Sequence, residues 1–128
     1  MPVSAASRPL GVSVMPLETR REAILHIAAT ADRLGYEAFF LPETWAHDTT
    51  VMLAEVARRT QRIRFGSGIL GVWGRSAATL AMAASTLDAM SGGRFILGLG
   101  ASTQQLAEGL HDVPWTRDKG PRGFWPST

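Results

Sequence analysis

Four side chains that could handle a proton or wall a flat ligand fall close together in this sequence: Glu43, Trp45, His47 and Asp48. Glu43 or His47 could act as a general acid or base, and Trp45 could stack on a planar ligand. The plainer account is a solvated loop whose aspartate caps the next helix. Asp48 reads as that cap, and Glu43 and His47 read as the candidate catalytic pair. A second cluster, Gly66-Ser67-Gly68-Ile69-Leu70-Gly71, matches G-x-G-x-x-G letter for letter. A dinucleotide fingerprint needs those glycines in a turn that opens directly into a helix. Here they lie inside a strand pattern and the next helix starts near Ser76. A Rossmann-type nucleotide site is therefore the minor alternative. Glycines within a strand also mark a bulge or a close approach of ligand to backbone. A third cluster of small residues, Gly98, Gly100, Ala101 and Ser102, offers either a tight turn or room for a ligand. The three histidines, His26, His47 and His111, are far apart and show no metal-ligand spacing. With no cysteine present, no metal site is expected. His111 has no identifiable partner in the sequence.

These clusters need elements to position them, and the chain alternates two periods. Pro9 to Met15 reads as a strand. Thr19 to Leu34 reads as a helix, with a Thr19–Glu22 capping box, Gly35 as its terminator, and Ile24, Ile27, Ala28, Ala31 and Leu34 on one apolar face. Tyr36 to Glu43 is an aromatic-rich strand. A second helix follows Asp48, with Leu53, Val56 and Ala57 inward. Arg62 to Leu70 is a third strand. Ser76 to Met90 is an alanine-rich helix, with Leu80, Ala83, Ala84 and Leu87 inward, broken by Gly92-Gly93. Arg94 to Gly100 is a fourth strand, and Thr103 to Leu110 a short helix. Strand–helix alternation at this pitch requires an α/β fold with a parallel sheet, since each helix returns the chain to the same edge. In such folds chemistry collects at the carboxyl ends of strands. All three clusters lie at such ends.

Composition narrows the function classes. The chain has 128 residues, 45% hydrophobic and 19% charged, so it is globular rather than disordered. Net charge is only +2, and Lys119 is the one lysine among 13 basic residues. The basic residues are scattered, so no nucleic-acid face is expected. No apolar run reaches the roughly 18 residues of a membrane span, and Met1 to Pro9 lacks a signal-peptide core, so no membrane partner is expected. The absence of cysteine fits a cytoplasmic location.

Three segments, taken together, resemble the luciferase-like monooxygenase family and its branch of flavin- or deazaflavin-dependent oxidoreductases. They are LPETWAHD at the end of the second strand, RIRFGSGILGVWGRS through the third, and TLDAMSGGRFILGLGAS into the fourth. The likeness spans Leu10 to Pro114, and Ser91 to Gly100 is its most specific piece. It implies the N-terminal half of a (β/α)8 TIM barrel, with about four parallel strands. It implies FMN or the 8-hydroxy-5-deazaflavin coenzyme at the barrel mouth, with hydride transfer to, or oxygenation of, a small organic substrate. By the same resemblance Glu43 would lie near the reactive ring. Gly68, Ile69 and Leu70 would form a bulge behind it, often with a non-proline cis peptide. Glu43, Trp45, Gly68, Ile69, Leu70, Gly100, Ala101 and Ser102 would contact the cofactor. The E-T-W-x-x-D form of the loop favours the deazaflavin branch.

The likeness also implies more chain, since a TIM barrel typically needs about 250 residues. Residues 1–114 read as a partial barrel domain. Residues 115–128, with no periodicity, read as a divergent irregular tail, as a premature stop or frameshift would leave. A half-barrel has two unpaired edges and one uncovered face, on which Phe39, Leu41, Phe65 and Ile96 or their neighbours would be wet. Self-association through that face is the expectation. A non-catalytic fragment, or one part of a split protein, is the alternative to an active oxidoreductase.

Overall fold

A computed structural model describes residues 9–115. Six short strands and four helices alternate along them: β1 (Gly11–Ser13), α1 (Arg21–Arg33), β2 (Ala38–Leu41), α2 (Thr49–Arg59), β3 (Arg64–Ser67), β4 (Leu70–Gly71), α3 (Ala77–Ser91), β5 (Phe95–Ile96), β6 (Leu99–Gly100) and α4 (Gln104–Gly109). The main sheet is parallel in the order β1-β2-β3-β5, and β4 pairs with β6 in a second, two-stranded sheet. The third and fourth strands of the sequence reading are each split in two. Strand order follows chain order without reversal. A doubly wound sheet reverses its order at a switch point, whereas a barrel does not. The observed order is the one a barrel requires.

Local chemistry sets the element boundaries. Helix α1 ends in paired backbone bonds, Tyr36 N–H to Ala31 O at 2.9 Å and Gly35 N–H to Asp32 O at 3.2 Å, with Gly35 at φ +80°. This is the Schellman arrangement that only glycine enters without cost. Its start differs from the predicted capping box. Arg20 precedes the first turn, and no side chain caps it. The Glu18 carboxylate instead accepts from the Arg20 backbone N–H and guanidinium, and Glu22 pairs with Arg21. Of the groups that the box would have used, the Glu22 carboxylate is thus taken by Arg21. Asp48 caps α2 as expected, accepting from the N–H groups of Thr50 and Val51.

The pairing register sorts the two sheet faces. Val12, Phe39, Phe65 and Phe95 stand side by side in one row, and Ser13, Phe40, Gly66 and Ile96 in the next. The first row packs under the helices with Ile24, Leu25, Ala28, Met52, Leu53, Val56 and Leu87. Phe39 and Phe65 are fully buried there and Leu41 nearly so, which corrects the expectation that they face the barrel interior. Their neighbour Phe40, together with Ile96, stands half-exposed on the opposite face. Leu34, expected inside, is exposed, and Ala83 and Ala84 are only half-buried.

Arg94 holds the amino end of the sheet together. Its guanidinium donates to the Ala57, Thr60, Ile63 and Ser91 carbonyls and to the Thr60 hydroxyl. It also lies 5.3 Å above the Phe65 ring. A cation placed on the last carbonyls of α2 suits the helix dipole. Asp32 works at the same end, accepting from the N–H groups of Gln61, Arg62 and Ile63. Residues 116–128, most of the expected irregular tail, lie outside the described residues. Trp115 itself is described: its ring packs 5.3 Å from that of Trp73.

Candidate functional site

Strand β2 ends at Leu41, and Pro42 turns the chain so that the Glu43 side chain enters a cleft. The cleft is about 420 Å³, lined by Glu43 to Asp48, Gly74, Arg75, Leu110 and His111. At its centre, Arg75 grips Glu43 with both terminal nitrogens, Nη1 to Oε1 at 2.6 Å and Nη2 to Oε2 at 2.8 Å. The Glu43 side chain is only 6% exposed. Its Oε2 also accepts from the Thr49 N–H at 3.2 Å. Arg75 Nη2 reaches Asp48 Oδ2 at 3.0 Å as well. The Glu43 contact, against some opposing desolvation, raises the Arg75 guanidinium above its already high value. For Asp48, burial works against ionisation most strongly. Hydrogen bonds from the Thr50 hydroxyl, the Val51 N–H and Arg75 outweigh it and hold the carboxyl below its usual range. The two carboxylates and one guanidinium leave the wall with a net negative charge.

His47 and Trp45 complete this side. Nε2 of His47 lies 3.2 Å from the Thr19 carbonyl. A carbonyl only accepts, so Nε2 donates this bond and Nδ1 is left for another partner. Trp45 is 53% exposed, and the edge of its ring lies against Gly109 of α4. Glu43, Trp45 and His47 are thus brought to one cleft, as their spacing suggested.

Gly68, Ile69 and Leu70 lie beside it, at the break between β3 and β4. The Gly68–Ile69 peptide bond is cis. The break is stitched to the neighbouring strand by the buried Ser67 hydroxyl. It donates to Gly98 O at 2.8 Å and accepts from Gly98 N–H at 2.9 Å. The break is also tied to the cleft, since the Glu43 N–H donates to Ile69 O at 3.2 Å.

The glycines have a structural account of their own. A Cβ on Gly66 would strike the Ile96 carbonyl, one on Gly98 the Ser67 carbonyl, and one on Gly100 the Ile69 side chain. The space that their missing side chains leave is filled by protein, so they permit close strand approach there. The dinucleotide reading fails on the same geometry. Gly66 and Gly71 sit within strands, and α3 begins only at Ala77. Gly100 ends β6, and Ala101 and Ser102 follow it. Ala101 O accepts from the Trp73 indole, and Ser102 adopts φ +61°.

Two cleft residues escaped the sequence reading. Arg75 follows a glycine in a loop, and nothing in its neighbourhood announces a carboxylate partner. His111 lies beyond α4, and the fold lays its ring against Gly71 and Gly74. The glycine in V-W-G-R-S was the available signal, because a missing Cβ marks where another group comes close. Among the described residues, no group of three or more His, Asp and Glu side chains could hold a metal ion. No described helix is long and apolar enough to cross a membrane.

Barrel-ordered parallel strands, with polar groups gathered at their carboxyl ends, define a (β/α) enzyme-type scaffold. The model of the luciferase-like monooxygenase family matches residues 6–120, and the chain belongs to that family. A Mycobacterium tuberculosis protein provisionally named a coenzyme F420-dependent oxidoreductase is 42% identical over 85 residues, covering 66% of this chain and 24% of that protein. The 5,10-methylenetetrahydromethanopterin reductase of Methanolobus tindarius is 33% identical over 93 residues, covering 72% and 28%. Among solved structures, the coenzyme F420-dependent tetrahydromethanopterin reductase of Methanopyrus kandleri superposes with a TM-score of 0.74 at 25% identity, covering 84% of this chain and 30% of that one. The FMN complex of the oxygenating component of 3,6-diketocamphane monooxygenase from Pseudomonas putida shares the fold, with a TM-score of 0.75 at 19% identity over 89% and 35%. The chain spans about a quarter of the length of the curated relatives it matches.

Proposed function

We propose that this chain supplies the flavin-facing portion of a luciferase-like oxidoreductase, with coenzyme F420 or FMN at the carboxyl ends of its strands. The observation that carries this reading is the pairing of two surfaces at one end of the sheet. Ile69, Leu97 and Leu99 are 36%, 38% and 37% exposed and offer apolar surface. The Glu43–Arg75 cleft beside them offers hydrogen-bonding groups. A tricyclic isoalloxazine has an apolar face and a polar edge, and these surfaces suit both. Gly68, Ile69 and Leu70 would back the ring. Trp45, Gly100, Ala101 and Ser102 would border it, and Glu43 would face its polar edge. Such a coenzyme, when reduced, supplies a hydride or, as FMN, activates oxygen.

The chain's own residues would orient a small organic substrate and handle its proton. Glu43, fixed by Arg75, contributes charge and orientation. His47, with Nε2 engaged by the Thr19 carbonyl, is the residue to accept or return a proton at Nδ1. The deazaflavin coenzyme is favoured by the F420-dependent relatives and the E-T-W-x-x-D loop. A reducing cytoplasm suits a chain without cysteine. Fluorescence titration of the chain with each coenzyme tests the reading. Saturable micromolar binding of one is expected, and no binding of either by folded chain defeats it.

A second reading is favoured by the half-exposed face carrying Phe40 and Ile96 and by the short span relative to relatives. On this reading the chain is inactive alone and completes a site only with further barrel strands or a second copy. Sedimentation tests it: a well-folded monomer that binds coenzyme counts against it.

A further inference from the structure

His111 has no task in the site described so far, yet it is held in the cleft by close packing. Its ring occupies the place where a Cβ on Gly74 would sit. A Cβ on Gly71 would lie 3.5 Å from its Nε2 and 3.6 Å from the Ser102 Cβ. Two glycines and a short side chain thus form a seat for a flat ring. Among the described residues neither ring nitrogen makes a hydrogen bond, and neither is buried. His47, in contrast, is tied through Nε2 to the Thr19 carbonyl. Both nitrogens of His111 are therefore open to the cleft that the ring lines, where an imidazole can donate to or accept from an entering ligand.

We propose that His111 is a substrate-contacting residue, whose imidazole hydrogen-bonds the carbonyl or hydroxyl oxygen of a small uncharged organic molecule. This rests on the oxidoreductase reading above and names the substrate class of the same cleft. Charge supports the uncharged class. Among the described residues, the titratable groups lining the cleft with His111 are Glu43, His47 and Asp48 from the β2–α2 loop and Arg75 from the β4–α3 loop. Arg75 is neutralised by Glu43, with Asp48 as a second anion beside it. A phosphate or carboxylate entering the cleft would meet net negative charge with the guanidinium already engaged. A neutral oxygen meets no such penalty, and an imidazole can donate to it or accept from it.

The test uses the chain with isotope-labelled histidine, followed by NMR. The probes are cyclohexanone, cyclohexanol and glycerol 1-phosphate. The His111 ring signals are expected to move saturably with the two neutral probes and to stay in place with the phosphate ester. The substitution His111→Phe keeps a flat ring for the seat and removes both nitrogens. It should weaken the neutral probes by roughly tenfold, the loss of a single hydrogen bond. Gly74→Ala keeps the imidazole but displaces it, and should abolish the His111 response. An unresponsive His111, an equal response to the phosphate ester, or unchanged probe affinity in folded His111→Phe overturns the proposal. Coenzyme affinity is measured alongside. If the parent and His111→Phe both bind coenzyme while the probes leave His111 unmoved, this proposal falls and the oxidoreductase reading stands. If the parent binds no coenzyme, the broader reading falls.

Discussion

Arg75 holds Glu43 in a two-pronged ion pair, at 2.6 and 2.8 Å, joining the β4–α3 loop to the end of β2. The pair is shielded on both sides, with side-chain exposures of 17% and 6%. A buried carboxylate that loses its cation is left without compensation. Arg75→Ala should therefore destabilise the chain by about 2–4 kcal/mol, and adding Glu43→Gln should recover much of that loss. Urea denaturation of the two single variants and the double variant checks this. A double variant no more stable than Arg75→Ala would show that the pair is not the source of the effect.

Ser67 bridges the strand break with a single hydroxyl that both donates to and accepts from Gly98. Ser67→Ala removes the oxygen while leaving the Gly98 N–H and carbonyl in place. The expected loss is about 1–3 kcal/mol, seen as a lower thermal midpoint with an unchanged far-ultraviolet spectrum. An unchanged midpoint would mean that solvent reaches Gly98.

Gly98 faces the Ser67 carbonyl, a backbone atom that cannot swing aside. Gly98→Ala should cost about 2–4 kcal/mol by forcing the two strands apart. Gly11 gives the contrast: a Cβ there meets only Ala38 O, at an ordinary 3.6 Å. Gly11→Ala should change stability by less than about 1 kcal/mol. Equal losses in the two variants, read from denaturant midpoints, would contradict the close-approach account.

Acid should unfold the chain through two aspartates. Burial opposes the ionisation of Asp32, but the N–H groups of Gln61, Ile63 and Arg62 outweigh it and lower its carboxyl. Asp48 is lowered in the same sense, against burial, by Thr50, Val51 and Arg75. A folded-state value below the unfolded one gives stability that is fully present above the ordinary aspartate range. That stability is lost as pH falls through the depressed folded values. The urea midpoint should therefore be level near neutral pH and drop below about pH 4, and Asp32→Asn should flatten the drop. A midpoint independent of pH down to that range would contradict this.

Much of the fold is legible in the sequence because its signals are local. Asp48 before an apolar period and Gly35 after one mark helix ends by backbone chemistry that acts over a few residues. The Thr19–Glu22 box misleads for an equally local reason: Arg21 takes the Glu22 carboxylate, and the helix starts one residue later, after Arg20. Which face of a strand is buried is harder to read. Phe39, Phe40 and Leu41 are all apolar, so alternation gives no contrast, and only the register with Phe65 and Phe95 assigns Phe39 to the helix side. Of the cleft, Glu43, Trp45 and His47 are legible because they share one loop. Arg75 and His111 are not, since the groups they meet lie on other loops and are brought together only when β2, β4 and β6 align.

The position of the coenzyme tests the oxidoreductase reading most directly. Backbone amide shifts of the chain should be mapped while coenzyme F420 or FMN is added. Saturable shifts are expected at Glu43 to Trp45, Gly68 to Leu70 and Gly100 to Ser102, with Gln61 to Ile63 and Arg94 at the far end of the sheet unmoved. Shifts centred on Arg94 and Asp32, or none with either coenzyme, would contradict it.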